Sequence, residues 1–412
     1  MMEIISKHII KPSSPTPTHS KTIKFSLLDR LTLHSYTPIL LIYESESLTS
    51  KDVLKKSLSE TLTKYYPFAG RLQEDGKIVD CCDQGVIFVD AKIAGCGVHD
   101  FIQNPKYETQ KLLFPEGFLW KESCIDSSFL AVQVTSFEGG GMAVTISISH
   151  KVADGCTIAT FLSDWAAMVR GEVRPTPMIL ANYISDLLDP NVNVPEIVMN
   201  QSKSCVTKRY VFDSKKIEEM KTSVSGVVEN PTKVEVVTAH LYKCAITAST
   251  AKMNSLRKSI WIQLVNMRPR IKKPLPENSI GNFTWYFIVS NNEKQMSLSD
   301  LAVEMKKGIK DLCNGGDNLD LTDWLMDVGE FASNVKELFD DLDVYRCSSM
   351  CRRPFYQTDF GWGCPKWVTM ADVLVKNTFV LFDRPNGDGI EAMVSLEEDD
   401  LSFFQSNQDL LP

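Results

Sequence analysis

The chain has 412 residues, 43% hydrophobic and 23% charged, the balance of an ordinary globular protein rather than a disordered, collagenous or coiled-coil one. At roughly 100–200 residues per domain, this length suits about two to three domains and a core that needs no disulfide or metal staple. Forty-four basic against 52 acidic side chains leave a net charge of −8. That is the wrong sign for a general nucleic-acid binder, so any polyanionic ligand has to be met by a local basic patch.

The segment Lys11-Pro12-Ser13-Ser14-Pro15-Thr16-Pro17 is an extended connector, because its prolines forbid a helix. Leu54, Leu58 and Leu62 recur every four residues and predict a helix over Ser50 to Tyr65, stopped by Tyr66-Pro67-Phe68-Ala69-Gly70. Short strands are expected at Lys77 to Asp80 and Val86 to Asp90, then at Phe129 to Thr135. After the Gly139-Gly140-Gly141 turn, Met142 to Ser149 alternates strictly. Val144, Ile146 and Ile148 take one face, and Thr145, Ser147 and Ser149 the other. His150 then falls on the apolar side at the strand end. The turn Lys151-Val152-Ala153-Asp154-Gly155 follows, and a helix with Ile158, Leu162, Trp165 and Val169 as its buried stripe.

The stretch from Arg174 to Gln201 carries Pro175, Pro177, Pro190 and Pro195 and is expected to be a surface crossover. Thr232-Lys233-Val234-Glu235 is a capping box, opening a helix with Val237, Leu241, Cys244 and Ala248 on one face. Strands follow at Ser259 to Asn266 and Phe283 to Val289, and helices near Ser299 to Leu312 and Trp324 to Phe339. The tail predicts strands at Trp367 to Met370, Thr378 to Asp383 and Gly389 to Ser395, the last pair turned by Asn386-Gly387. Ser395 and Glu398 are read as a second capping box. The sum is an α/β chain of two similar-sized domains with mixed sheets and flanking helices. The expected bounds are 1–190, a linker at 191–205, and 206–412.

Eleven cysteines at irregular spacings do not make a disulfide framework, and Cys347 and Cys351 have no second pair to complete a zinc site. They are expected to be reduced thiols. Met1 to Ser20 shows no apolar run of a signal peptide, no apolar stretch approaches ~18 residues, and Leu411-Pro412 is no retrieval tail. The expectation is a cytosolic, monomeric protein.

His150 and Asp154 form His-x3-Asp, a spacing that is weak alone. A core histidine beside a turn-forming aspartate is the plain alternative. An inward histidine at a strand end before a glycine-bearing turn is nevertheless a placement that active sites favour. Imidazole also suits general-base work near neutral pH. A zinc site wants a third ligand, and none stands at metal spacing, so no metal is assigned. Cys156 is six residues from His150 with no defined geometry, and Ser149 faces the opposite side of the strand. There is no Gly-x-Ser-x-Gly elbow, Walker A loop or Gly-x-Gly-x-x-Gly fingerprint. Asp359-Phe360-Gly361-Trp362-Gly363 is the second feature. A kinase reading of its Asp-Phe-Gly fails without a glycine-rich or His-Arg-Asp loop. The plain reading is a tight loop around a buried tryptophan.

Together, His150-Lys151-Val152-Ala153-Asp154-Gly155 and Asp359-Phe360-Gly361-Trp362-Gly363 resemble the plant BAHD acyl-coenzyme A-dependent acyltransferases. Supporting matches are Tyr66-Pro67-Phe68-Ala69-Gly70-Arg71, Asn266-Met267-Arg268 and Ile280-Gly281-Asn282. The opening Ile9 to Pro17 is most similar to the alkaloid-modifying branch. The resemblance implies a chloramphenicol acetyltransferase-like fold with a solvent channel between the domains, and a segment near 357–382 that packs back on the N-terminal domain. It implies acyl-coenzyme A, acetyl foremost, as a co-substrate, no permanently bound cofactor, and a small-molecule alcohol as acceptor.

On this resemblance His150 is the general base. Asp154 pairs with Arg268 and holds the loop that aims His150, with a triad-like Asp154 as the competing reading. Asp359, Gly361, Gly363 and Asn282 support the site, and Trp362 is expected at the channel, offering its indole N–H to the oxyanion. Thr232 and Lys233, at a helix N-terminus, are the candidates for the coenzyme A phosphates. Open alternatives are N-acylation, a malonyl or longer donor, a non-catalytic relative, and a condensation-type domain. The last usually carries two adjacent histidines, whereas Ser149 precedes His150 here.

Overall fold

Each half of the fold is organised by its own six-stranded mixed sheet. The computed structural model describes residues 2–44, 50–73, 76–120, 126–185, 202, 204–292, 294–314, 320–334 and 342–407. One unit holds Met1–Met199 with two later segments, Pro276–Phe283 and Arg353–Ala371. The other holds Asn200–Leu275, Thr284–Arg352 and Asp372–Pro412. A single division near 190–206 therefore misses two returns of the chain. The later one ends at Ala371 rather than running through 357–382, and the earlier one has no signature in hydropathy. A segment's polarity does not say which sheet it joins. Most of the linker expected at 191–205 lies outside the described residues.

In the first unit the strand order is Met2–Ile10, Val86–Ile93, Leu130–Phe137, Met142–Ser149, Tyr36–Tyr43 and Trp367–Met370. Within this sheet, among the described residues, only Val86–Ile93 and Leu130–Phe137 pair in parallel. The strand Met142–Ser149 is central, and all eight of its residues are buried. Its alternation does not separate a core face from a water face, as the sequence suggests. The hydroxyl side is buried too: Thr145 Oγ1 donates to the Leu113 carbonyl at 2.6 Å, whereas Ser147 Oγ has no hydrogen-bond partner among the described residues. A bond like that of Thr145 is how most polar side chains are tolerated inside. Met2–Ile10 lacks strict alternation and escapes sequence reading because it is an edge strand, half open to solvent.

The helix Gly155–Val169 buries Ile158, Leu162 and Trp165. Trp165 donates its indole N–H to the Leu54 carbonyl and Ser57 Oγ, at 3.3 and 3.1 Å. This ties the helix to the predicted one at Lys51–Lys64, whose Ser50 cap accepts from the Asp52 N–H. The crossover after Arg174 contains a two-residue strand, Met178–Ile179. It pairs in parallel with Ser279–Ile280 of the returning segment.

The second unit orders its strands Cys205–Asp213, Gly389–Glu397, Thr378–Asp383, Asp343–Ser349, Ser259–Asn266 and Thr284–Ser290. The Thr232 and Glu235 capping box is present and opens the helix Lys233–Met253. That helix buries Val237, Leu241, Cys244 and Ala248 in a core with Trp261, Tyr345, Phe379 and Phe404. The second expected box is absent. Ser395 lies within the strand Gly389–Glu397, its hydroxyl on the Val373 carbonyl, and the helix Glu398–Gln405 has no side-chain cap. Pairing with strands on both sides outweighs a local capping pattern. No helix among the described residues is long and apolar enough to cross a membrane.

The turn before Met142 gives a stability test. Gly139 and Gly141 have φ of 81° and 83°, a region costly for a residue with a Cβ. A Cβ on Gly139 meets nothing within 4 Å, whereas one on Gly141 meets Val98 Cγ2 at 2.4 Å and the Tyr43 carbonyl oxygen at 2.8 Å. Gly139→Ala should cost about 1–2 kcal/mol and Gly141→Ala clearly more, read as the drop in melting temperature. Equal drops would show that the overlap at Gly141 relaxes freely.

Candidate active site

His150 is fixed by its backbone before its side chain is considered. It directly follows the buried strand Met142–Ser149, and its N–H donates to the Ser35 carbonyl at 2.9 Å. Two residues on, the Val152 N–H closes a turn onto the Ser149 carbonyl at 3.1 Å. His150 as a residue is only partly exposed, and its ring is closely surrounded. Burial holds its pKa below the ordinary 6.5, against the raising influence of Asp154 and of its hydrogen bond with Asn282. The ring is therefore neutral at pH 7.

Nδ1 of His150 lies 3.2 Å from Asn282 Oδ1. The amide of Asn282 has its own orientation settled by acceptors. Its Nδ2 donates to Asp29 Oδ1 at 2.9 Å, to the His150 carbonyl at 2.9 Å and to the Lys151 carbonyl at 3.3 Å. The side-chain oxygen must then face the ring, and Nδ1 must carry the hydrogen. Nε2 keeps its lone pair, and it makes no hydrogen bond among the described residues.

Asn282 arrives on the segment Pro276–Phe283, which two buried carboxylates clamp. Asp154 caps the helix Gly155–Val169, with Oδ1 accepting from the Thr157 N–H at 2.9 Å and Oδ2 from the Phe283 N–H at 3.0 Å. Thr157 Oγ1 donates to the Gly281 carbonyl at 3.0 Å. On the other side Asp29 Oδ1 accepts from the Asn282 backbone N–H at 3.0 Å. Burial raises the Asp29 pKa, opposed by hydrogen bonds from Ser26 and Asn282. The carboxylate is the form that uses all these donors. The ammonium of Lys151, 2% exposed, rests on the Arg30 carbonyl at 2.9 Å. Asp154 thus holds a loop by its backbone, and the partner at Nδ1 is Asn282. The triad-like reading of Asp154 gives way to a histidine–asparagine pair.

Two expectations are corrected. Trp362 is not at His150. Its ring lies 5.6 Å from that of Tyr43 and 5.4 Å from that of Phe360. Tyr43 ends the strand whose first residue, Tyr36, pairs with Ser149. At about 3.3 Å per residue the two ends are roughly 23 Å apart. The helix gives the same answer, since Arg170 at its C-terminus donates to the Asp359 carbonyl, about 24 Å from the Asp154 cap at 1.5 Å per residue. No indole N–H spans that gap to an oxyanion. Asp359 instead organises its own loop, accepting from the N–H groups of Gly361 and Gly363 at 2.7 and 2.9 Å.

The second correction concerns the phosphate site. Lys233 Nζ is 2.6 Å from Asp383 Oδ1 and 3.3 Å from the Gly387 carbonyl. Thr232 and Glu235 satisfy one another's backbone N–H groups at 2.8 and 3.2 Å. The cation is neutralised and the helix end is capped, so this is a structural helix start. Arg268 belongs to the second unit. It is fully buried, with Nη1 on Asn266 Oδ1 at 3.0 Å.

Cys156 Sγ is held by the Glu277 carbonyl at 3.6 Å and by Arg353 Nη1 at 3.2 Å. The sequence does not single out Asp29, Lys151 or Thr157 for this site. The pattern Ser26-x-x-Asp29 does mark a capping box, which is present. Nothing local announces a partner 253 residues away.

A family model described as the Transferase family matches residues 1–411. Akuammiline synthase 1 of Alstonia scholaris is 40% identical over 419 residues, covering 100% of this chain and 97% of the relative. Deacetylvindoline O-acetyltransferase of Catharanthus roseus is 37% identical over 446 residues, covering 99% and 97%. The crystal structure of vinorine synthase aligns with a TM-score of 0.85 at 30% identity, covering 98% of this chain and 96% of that one. The chain belongs to this Transferase family, the plant BAHD acyl-coenzyme A-dependent acyltransferases, and has the family's chloramphenicol acetyltransferase-like fold.

Proposed function

We propose that the enzyme moves an acyl group, acetyl foremost, from acyl-coenzyme A to a hydroxyl of a plant alkaloid, with His150 as general base and no acyl-enzyme. The observation that carries this is the pairing of the His150 Nδ1–H with Asn282 Oδ1, which leaves Nε2 as the basic nitrogen. The names of the two relatives, one an alkaloid O-acetyltransferase, support the acceptor and donor classes.

Nε2 takes the acceptor's hydroxyl proton as its oxygen attacks the thioester carbonyl. The tetrahedral intermediate expels the coenzyme A thiolate, and the imidazolium returns the proton to that sulfur. Positive charge growing on the ring is met at Nδ1–H by the amide oxygen of Asn282. Both substrates meet at one base, so proximity replaces a covalent intermediate. The same reading places a monomeric enzyme in the cytosol.

Thiol release from acetyl-coenzyme A, with a panel of alkaloid alcohols read by mass spectrometry, tests the activity directly. His150→Ala should lower kcat by about 10²–10⁴-fold with the melting temperature retained. Unchanged kcat in a folded variant would remove His150 from the chemistry. The working base is neutral imidazole with a pKa lowered by burial. Activity should therefore persist as pH falls to 6.5 and fail only below it. An acid limb of kcat/KM centred above 6.5 contradicts the buried-base assignment.

A further inference from the structure

Asp29 is joined to the catalytic ring by a chain of directed hydrogen bonds, although it touches neither the ring nor, on the reading above, either substrate. It is 3% exposed, and its two oxygens divide their work. Oδ2 accepts from the N–H and Oγ of Ser26 at 3.0 and 2.6 Å. Oδ1 accepts from the backbone N–H and Nδ2 of Asn282 at 3.0 and 2.9 Å. An amide such as Asn282 fits a cavity equally well with its oxygen and nitrogen exchanged, so shape alone does not orient it. Here one side of that amide faces an acceptor with no hydrogen to give. The flipped amide would set its oxygen against Asp29 Oδ1 and its nitrogen against His150 Nδ1. It would favour the Nε2–H tautomer, which has no lone pair at the working nitrogen.

We propose that Asp29 is a positioning residue: its carboxylate locks the Asn282 amide and thereby holds His150 in the Nδ1–H tautomer that leaves Nε2 basic. The proposal rests on the reading of His150 as general base. A carboxylate is suited to this place because acceptors are needed on both sides. An asparagine at 29 satisfies one side only. Whichever way it turns, its NH2 meets the N–H donors of either Ser26 or Asn282. The Lys151 and His150 carbonyls also accept from Nδ2. They lie on the residues that Asn282 bridges, so they hold the amide only as well as that turn is held. Asp29 anchors both the backbone and the side chain of Asn282 from a separate element, the short helix Leu27–Arg30.

The test is nitrogen-15 NMR of the histidine-labelled full chain at neutral pH, with the His150→Ala spectrum identifying its signal among six histidines. Wild type should show His150 as the Nδ1–H tautomer. Asp29→Asn should populate the Nε2–H form and lower kcat by about 10–100-fold, the range for partners that orient a working ligand, with KM for acetyl-coenzyme A within about twofold. Asp213→Ala removes a capping carboxylate in the other unit. It should lower the melting temperature while leaving kcat and the tautomer unchanged. An Nε2–H tautomer in wild type overturns the proposal, as does a folded Asp29→Asn protein with wild-type kcat and tautomer. Asp29→Glu supplies a second folded form. If neither Asp29 variant folds, the residue serves folding alone and the proposal is overturned. Loss of the base reading itself appears elsewhere, as activity retained in His150→Ala.

Discussion

The side-chain oxygen of Asn282 faces His150 only because acceptors claim its nitrogen, and everything about the site depends on that division of one amide. Asn282 is 132 residues from His150, on a segment that belongs to the first unit although its neighbours on both sides belong to the second. The site therefore requires the chain to come back and be gripped. Asp154 takes the Phe283 N–H and Asp29 the Asn282 N–H, so the asparagine lies between two carboxylate anchors on consecutive peptide groups.

The anchors are strong because they are buried. Asp29, Lys151 and Asp154 are 3%, 2% and 2% exposed, and a buried charge without partners costs several kcal/mol. Backbone dipoles meet each of them: Asp154 accepts from two N–H groups, Asp29 from the N–H groups of Ser26 and Asn282, and Lys151 donates to the Asp29 and Arg30 carbonyls. Backbone partners do not change rotamer. An arrangement that misplaced the Gly281–Phe283 loop by one residue would strand a carboxylate in the core. The desolvation that makes these charges expensive thus also makes the loop position unique. It lowers the pKa of His150 as well, so one local environment both places the base and keeps it neutral.

Much of this was legible in the sequence, and the rest has identifiable reasons for being hidden. Period-two and period-four patterns find Met142–Ser149, Lys51–Lys64 and Gly155–Val169 within a few residues, because burial on one element is a local property. The strand end at His150 follows from them. What is not local is lost. Asp29 reads as an ordinary capping residue, and the return of Pro276–Phe283 has no compositional mark. The resemblance carried by His150, Asp154 and Asp359 to Gly363 names the important residues but not their distances. Trp362 is the instructive failure: a motif tied to function by family pattern was given a place at the chemistry, and strand register removes it. Lys233 fails for a different reason. A helix N-terminus with a lysine looks like an anion site until Asp383, 150 residues later, occupies the lysine.

The two motifs nevertheless share a task, performed at opposite ends of one helix. At the N-terminus of Gly155–Val169, Asp154 binds the backbone of the first returning segment. At the C-terminus, Arg170 binds the Asp359 carbonyl of the second. That second segment also reaches the first end, where Arg353 contacts Cys156. The helix is a rigid strut whose own place is set by Trp165 on the Leu54 turn and by Phe360 packed 4.8 Å from Trp165. One helix thus carries contacts to both returning segments, so the Asp359–Gly363 loop belongs to the same packed framework as Asn282 while lying at the opposite end of it.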